Sequence, residues 1–85
     1  MLFMDVSTWD PSNRDKILEH FKKLEVPEGI DIINQWIDLS GNRIYILYEA
    51  ENAEAYGAFN LATCLEIYVF LLIRSYSCYL LYKFT

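Results

Sequence analysis

The chain is short of the residues from which most catalytic and metal sites are assembled. It has one histidine, His20, so a zinc site with three or four ligands has no evident donor set. Its three glycines, Gly29, Gly41 and Gly57, stand alone, so no phosphate-cradling loop is present. No glycines flank Ser7 in the manner of a nucleophile elbow. The two cysteines, Cys64 and Cys78, lie too far apart for a C-x-x-C redox or metal pair. One bridge between them is conceivable, but two reduced, buried thiols suit the chain better. No catalytic residue, cofactor or metal is therefore assigned, and a non-enzyme is favoured.

Basic residues are also few. Residues 1–66 carry all 12 acids and five of the seven bases, a net −7, whereas 67–85 carry only Arg74 and Lys83, a net +2. An acidic body without a basic stripe has nothing to release counterions from phosphates, which excludes nucleic acid as the expected partner. The start Met1-Leu2-Phe3-Met4-Asp5 lacks the basic opening and long apolar run of a secretory signal, so the expected compartment is cytoplasmic. Leu65 to Phe84 is long enough to cross a bilayer, but Arg74 and two serines interrupt its centre, which points away from a membrane span.

What the chain has in excess is apolar and aromatic side chains, 54% and 16% of its 85 residues. A single small domain buries a modest core, so part of that excess must be exposed or covered by a partner. A homodimer is the expectation.

Met1 to Trp9 alternates as a strand with two different faces. Ser12 is a candidate helix N-cap with Asp15 completing a weaker form of the capping box, and Ile17, Leu18, Phe21 and Leu24 follow at helical spacing. Pro27-Glu28-Gly29 ends that helix. Ile30 to Leu39 and Arg43 to Ala50, joined by Ser40-Gly41-Asn42, make a hairpin. Asn52 caps a second helix through about Leu61, and the apolar run from Leu65 to Ile73 reads as a fourth strand. The expected fold is α+β: a ferredoxin-like β-α-β-β-α-β sandwich, one antiparallel sheet with two helices on one face. Residues 1–73 form the domain, and 74–85 an apolar C-terminal extension, as an extra strand, a helix or a swapped arm.

Alternation sorts the strand residues between the two faces. Leu2, Met4, Val6, Ile44, Ile46, Ile67, Val69 and Leu71 are expected under the helices. The open face then collects Phe3, Asp5, Ser7, Trp9, Asn34, Trp36, Tyr45, Leu47, Glu49, Glu66, Tyr68 and Phe70. Except for Glu66, these are the candidates for a dimer interface or for a pocket between two facing sheets. Asp5, Glu49 and Glu66 could approach one another there, although charges at strand ends or paired with Arg43 are the plainer account.

Thr8-Trp9-Asp10-Pro11-Ser12-Asn13-Arg14-Asp15, Val26-Pro27-Glu28-Gly29-Ile30, Trp36-Ile37-Asp38, Gly41 and Glu49-Ala50-Glu51-Asn52-Ala53-Glu54-Ala55 stand in an order that resembles the family described as domain of unknown function 3303. The resemblance covers about residues 1–60 and implies a ferredoxin-like fold that pairs into a dimeric α/β barrel. It implies no activity. The C-terminal end, apolar and aromatic from Tyr68 to Thr85, departs from the pattern. The leading expectation is an uncharacterised small dimer that binds a small apolar ligand between its sheets. The alternative is a cofactor-free monooxygenase-like enzyme of the dimeric α/β-barrel type, drawing on Trp9, Asn34, Trp36, Tyr45 and Glu49, with His20 a weaker candidate; it rests on fold analogy.

Overall fold

In the computed structural model, which describes residues 1–82, strand β1 (Leu2–Thr8) runs into a 3-10 turn at Pro11–Asn13 and helix α1 (Arg14–Lys22). Strands β2 (Ile30–Ile37) and β3 (Arg43–Ala50), helix α2 (Ala53–Leu65), a π-helical turn (Glu66–Phe70) and strand β4 (Ser77–Tyr82) follow. The strands form one sheet in the order β2-β3-β1-β4, every neighbouring pair antiparallel. Both helices meet the same face of it. From α2, Tyr56 stacks on Phe3 at 4.4 Å and Phe59 meets Tyr48 edge-on; from α1, Phe21 lies beside Trp9. The α+β sandwich expected from the sequence is therefore the observed layout.

Local chemistry explains most boundaries. Asp10, rather than Ser12, opens the first helical segment: its carboxylate accepts from the Ser12 backbone N–H at 2.9 Å and from the Ser12 hydroxyl at 2.7 Å. Asn13 occupies the N-cap of α1 without a side-chain bond. Asn52 caps α2 as expected, accepting from Ala55 N at 2.8 Å. In the β2–β3 turn, Asp38 accepts from both the backbone and the hydroxyl of Ser40, and Gly41 takes a left-handed φ of +78°. Trp9 sits under this turn, its indole N–H donating to the Gly41 carbonyl at 3.0 Å.

Two expectations are corrected. The apolar run after Leu65 is not a strand. Tyr56, Asn60, Thr63 and Ile67 recur at helical spacing and are all buried, so α2 continues through that run and tightens into the π turn. A short apolar run fits a buried helix as well as a buried strand, and packing decided for the helix. Val69, expected under the helices, is consequently exposed, and Glu66, Tyr68 and Phe70 are not on the sheet. Leu72, in the left-handed region at φ 57°, ends the segment. The fourth strand lies further on, at Ser77–Tyr82, inside the stretch expected as an extension; residues 83–85 of that stretch lie outside the described residues. It pairs with β1 from Phe3↔Tyr82 to Thr8↔Ser77.

The faces of β1 are also reversed. Phe3, Asp5, Ser7 and Trp9 are buried under the helices, while Leu2, Met4 and Val6 are only half-buried on the open side. The register against β3 aligns Phe3, Asp5 and Ser7 with Tyr48, Ile46 and Ile44 on the covered face. Phe3 and Trp9 each bury more apolar area than any one of Leu2, Met4 or Val6 would. The polar pair that comes inside with them finds partners. In β3 the expectation holds: Ile44 and Ile46 are covered, and Tyr45, Leu47 and Glu49 face out. A bulge between Ile32 and Asn34 shifts the register of β2 and sends Asn34 and Trp36 to the open face beside Leu47 and Tyr45.

Candidate functional site

A polar cluster lies beneath α2 in an otherwise apolar layer. Asp5 and Ser7 are two apart on β1 and so share its covered face. Asn60 comes from α2, Cys64 from one turn later, Tyr76 from just before β4, and Cys78 from β4 opposite Ser7. Asp5 and Ser7 are essentially inaccessible to solvent, at 2% and 0%.

Every polar group in the cluster has a partner. Ser7 donates to Asp5 Oδ1 at 2.9 Å, and Tyr76 Oη, 2.7 Å from Ser7 Oγ, is placed to donate to it in turn. Asn60 Nδ2 donates to Asp5 Oδ2 at 3.2 Å and to Cys78 Sγ at 3.5 Å. The Cys78 thiol is 2.8 Å from Asp5 Oδ1, and the Cys64 thiol donates to Asn60 Oδ1 at 3.7 Å. The two thiols thus sit at the two ends of one side-chain amide, that of Asn60.

Burial sets the protonation states. Desolvation, reinforced by the Cys78 sulfur, pushes the Asp5 carboxyl up to about 8, against the bonds from Ser7 and Asn60. Asp5 is therefore mostly a neutral acid near pH 7. The Cys78 thiol is raised by its hydrogen bond to Cys64 and by burial, and that same bond holds Cys64 below the ordinary thiol value. Burial raises Tyr48, Tyr56 and Tyr76, with the Asp5 charge as the second cause for each.

The opposite face of the sheet is chemically different. Leu2, Met4, Val6, Tyr45 and Leu47 are half-buried there, and Trp36 is 46% exposed. Glu49 holds the N-terminal ammonium at 2.6 Å, Arg43 donates to the Tyr45 hydroxyl at 3.4 Å, and Asn34 accepts from Gln35 N at 2.8 Å.

The expected site residues thus divide into three groups. Asn34, Trp36, Tyr45, Leu47 and Glu49 share the open face. Phe3, Asp5, Ser7 and Trp9 lie on the covered one. Tyr68 and Phe70 belong to the π turn, where Phe70 is 79% exposed and Tyr68 packs edge-on to Tyr76 and donates to its carbonyl. Asp5, Glu49 and Glu66 consequently do not assemble, because they sit on the covered face, the open face and the end of α2. The carboxylate Glu49 pairs with the N-terminus instead. Asn60, Cys64, Tyr76 and Cys78 had no place in the sequence-based site; the signal for Asn60 was its helical spacing from Tyr56 and Ile67.

His20 lines a cleft of about 370 Å³ between the helices, with Lys23, Leu24, Phe59, Thr63 and Glu66. Its Nε2 is buried, makes no hydrogen bond and lies 3.7 Å from a Glu66 oxygen. A second cavity, of about 430 Å³, opens between α1 and the β2–β3 hairpin. Among the described residues no three His, Cys, Asp or Glu side chains are grouped to hold a metal, and no helix is long and apolar enough to cross a membrane.

A family model described as domain of unknown function (DUF3303) matches residues 1–62. The chain belongs to this family. The DUF3303 match spans β1 to most of α2, and so includes Asp5, Ser7 and Asn60 of the buried cluster. No curated protein and no solved structure matches the chain.

Proposed function

We propose that this DUF3303 chain is a non-enzymatic homodimer whose two open sheet faces pack together and enclose a small apolar ligand. The observation that carries the reading is the open face itself. Leu2, Met4, Val6, Leu47, Tyr45 and Trp36 form a continuous apolar surface, while both helices lie on the other side. A second copy offers a face of the same shape and chemistry about a two-fold axis. Four strands about 4.8 Å apart and seven residues long make a face of roughly 19 by 24 Å, which places the contact at the small end of specific interfaces. Such a dimer should dissociate measurably on dilution. The polar groups at the margin, Asn34, Glu49 and Thr8, are placed to orient a ligand that the apolar centre holds. The two free thiols, Cys64 and Cys78, accord with a reducing, cytoplasmic setting.

The test is sedimentation velocity across a dilution series, with Leu47→Asp as the variant. A concentration-dependent dimer is expected, and Leu47→Asp, which places a charge at the centre of the interface, should leave a folded monomer. If the wild-type chain stays monomeric up to about millimolar concentration, the reading fails.

The cofactor-free monooxygenase-like alternative keeps one supporting observation: Asn34, Trp36, Tyr45 and Glu49 share the open face, so a substrate between two sheets would meet all four. Trp9 cannot join them, because it lies under the β2–β3 turn on the other side. Glu49 is engaged by the N-terminal ammonium, which weakens it as a base. Binding is therefore the reading preferred here.

A further inference from the structure

The buried cluster has a composition that a packing role does not require. Two thiols, brought together from α2 and β4, share one amide and lie beside a carboxyl. Both residues are half-buried rather than fully enclosed. We propose that Cys64 and Cys78 form a redox-active dithiol that is oxidised to an intramolecular disulfide by a low-molecular-weight disulfide, with Asp5 receiving the proton of Cys78. This site is on the opposite side of the sheet from the proposed ligand surface and does not depend on it.

The roles follow from the geometry. The Cys64 thiolate attacks one sulfur of the reagent disulfide; a Cys64–reagent mixed disulfide forms, and the reagent's other half leaves as a thiolate. The hydrogen bond from Cys78 favours Cys64 as the attacking thiolate. Ionised Asp5, with Oδ1 2.8 Å from Cys78 Sγ, then takes the Cys78 proton. The Cys78 sulfur attacks Cys64 Sγ, the mixed bond breaks, and the second half of the reagent departs. The protein loses two hydrogens and two electrons, and the reagent disulfide is reduced to two thiols.

Asp5 is a positioning and proton-accepting group in the second step alone. Its carboxyl, at about 8, is matched to accepting a thiol proton near neutral pH. The titratable side chains facing it are Tyr48 from β3, Tyr56 and Cys64 from α2, Tyr76 and Cys78. The three tyrosines are raised well beyond that value, so Asp5 rather than a tyrosine changes charge as pH rises through about 8.

The test incubates the full-length protein with oxidised glutathione, quenches with acid, and follows intact mass and a peptide map. The wild-type chain should lose about 2 Da, through a transient glutathione adduct, and yield a peptide joining Cys64 to Cys78. Cys78→Ser should stop at the adduct. Asp5→Asn should form the adduct at the wild-type rate but resolve it about tenfold or more slowly, without the rise through about pH 8. Circular dichroism checks that each variant is folded; if Cys78→Ser is not, the wild-type peptide map and adduct time course decide. The proposal is overturned if both thiols stay reduced in excess oxidised glutathione, or if the disulfide joins two chains. Resolution by folded Asp5→Asn at the wild-type rate and pH profile would remove Asp5 from it.

Discussion

Replacing Asp5 by Asn separates the cost of burying a carboxylate from the packing around it. In the folded chain the Asp5 carboxyl titrates at about 8, and in the unfolded chain near the ordinary 3.8. Between those values the folded state holds a proton that the unfolded state has released. Stability is therefore fully present below about pH 4 and falls as pH rises towards 8, by up to about 1.4 kcal/mol per pH unit. The whole window would give roughly 6 kcal/mol. The part due to a Cys78 charge is missing while that thiol is neutral, so a loss of about 3 to 5 kcal/mol is expected. For a domain whose total stability is of the order of 5 to 10 kcal/mol, this brings the wild-type chain close to unfolding on the alkaline side. Asn has nearly the same shape and no charge to bury. Its amide would oppose the Asn60 Nδ2 donor, a conflict relieved if the Asn60 amide turns over, at a cost of about 1 kcal/mol. Urea unfolding with a reductant present, followed by far-ultraviolet circular dichroism from about pH 5 to about pH 9, measures the difference. Asp5→Asn should be within about 1 kcal/mol of wild type at the acid end and about 3 kcal/mol more stable at the alkaline end. Parallel curves for the two proteins would refute the assignment of Asp5 as a buried neutral acid.

Two further outcomes follow from the same structure. Gly41→Ala should destabilise by about 1 to 3 kcal/mol, read as a fall in Tm, because the position is left-handed. Its new Cβ would also stand 2.2 Å from Arg14 Cδ. Oxidation of Cys64 to Cys78 closes a loop of about 15 residues and should stabilise the chain by about 3 kcal/mol in urea, a gain that a reductant abolishes.

The sheet was legible in the sequence wherever alternation and chemistry agreed. In β3, Ile44 and Ile46 alternate with Arg43, Tyr45 and Glu49, and the covered face could be read directly. In β1 both alternating sets are largely apolar, and the purely aliphatic one, Leu2-Met4-Val6, looks better suited to a core than one holding Asp5 and Ser7. The structure chooses the other set: Phe3 and Trp9 pack against aromatic rings of the helices, and Asn60, Tyr76 and Cys78 receive the polar pair. Those partners come from segments remote in sequence, so no local pattern announces them. The same remoteness hid the thiol pair: spacing argued against a redox motif, yet β4 pairs with β1 and α2 crosses above, its Asn60 bonding to both thiols. The run after Leu65 was ambiguous for a different reason, since continuous apolar sequence carries no period by which to separate a helix from a strand.

The facing-sheet dimer with an enclosed ligand is tested most directly by native mass spectrometry of the purified full-length chain, followed by denaturation of the same sample. A dimer that carries additional mass, released as a small apolar molecule on denaturation, is the predicted result. A monomer without bound mass across the accessible concentration range would contradict it.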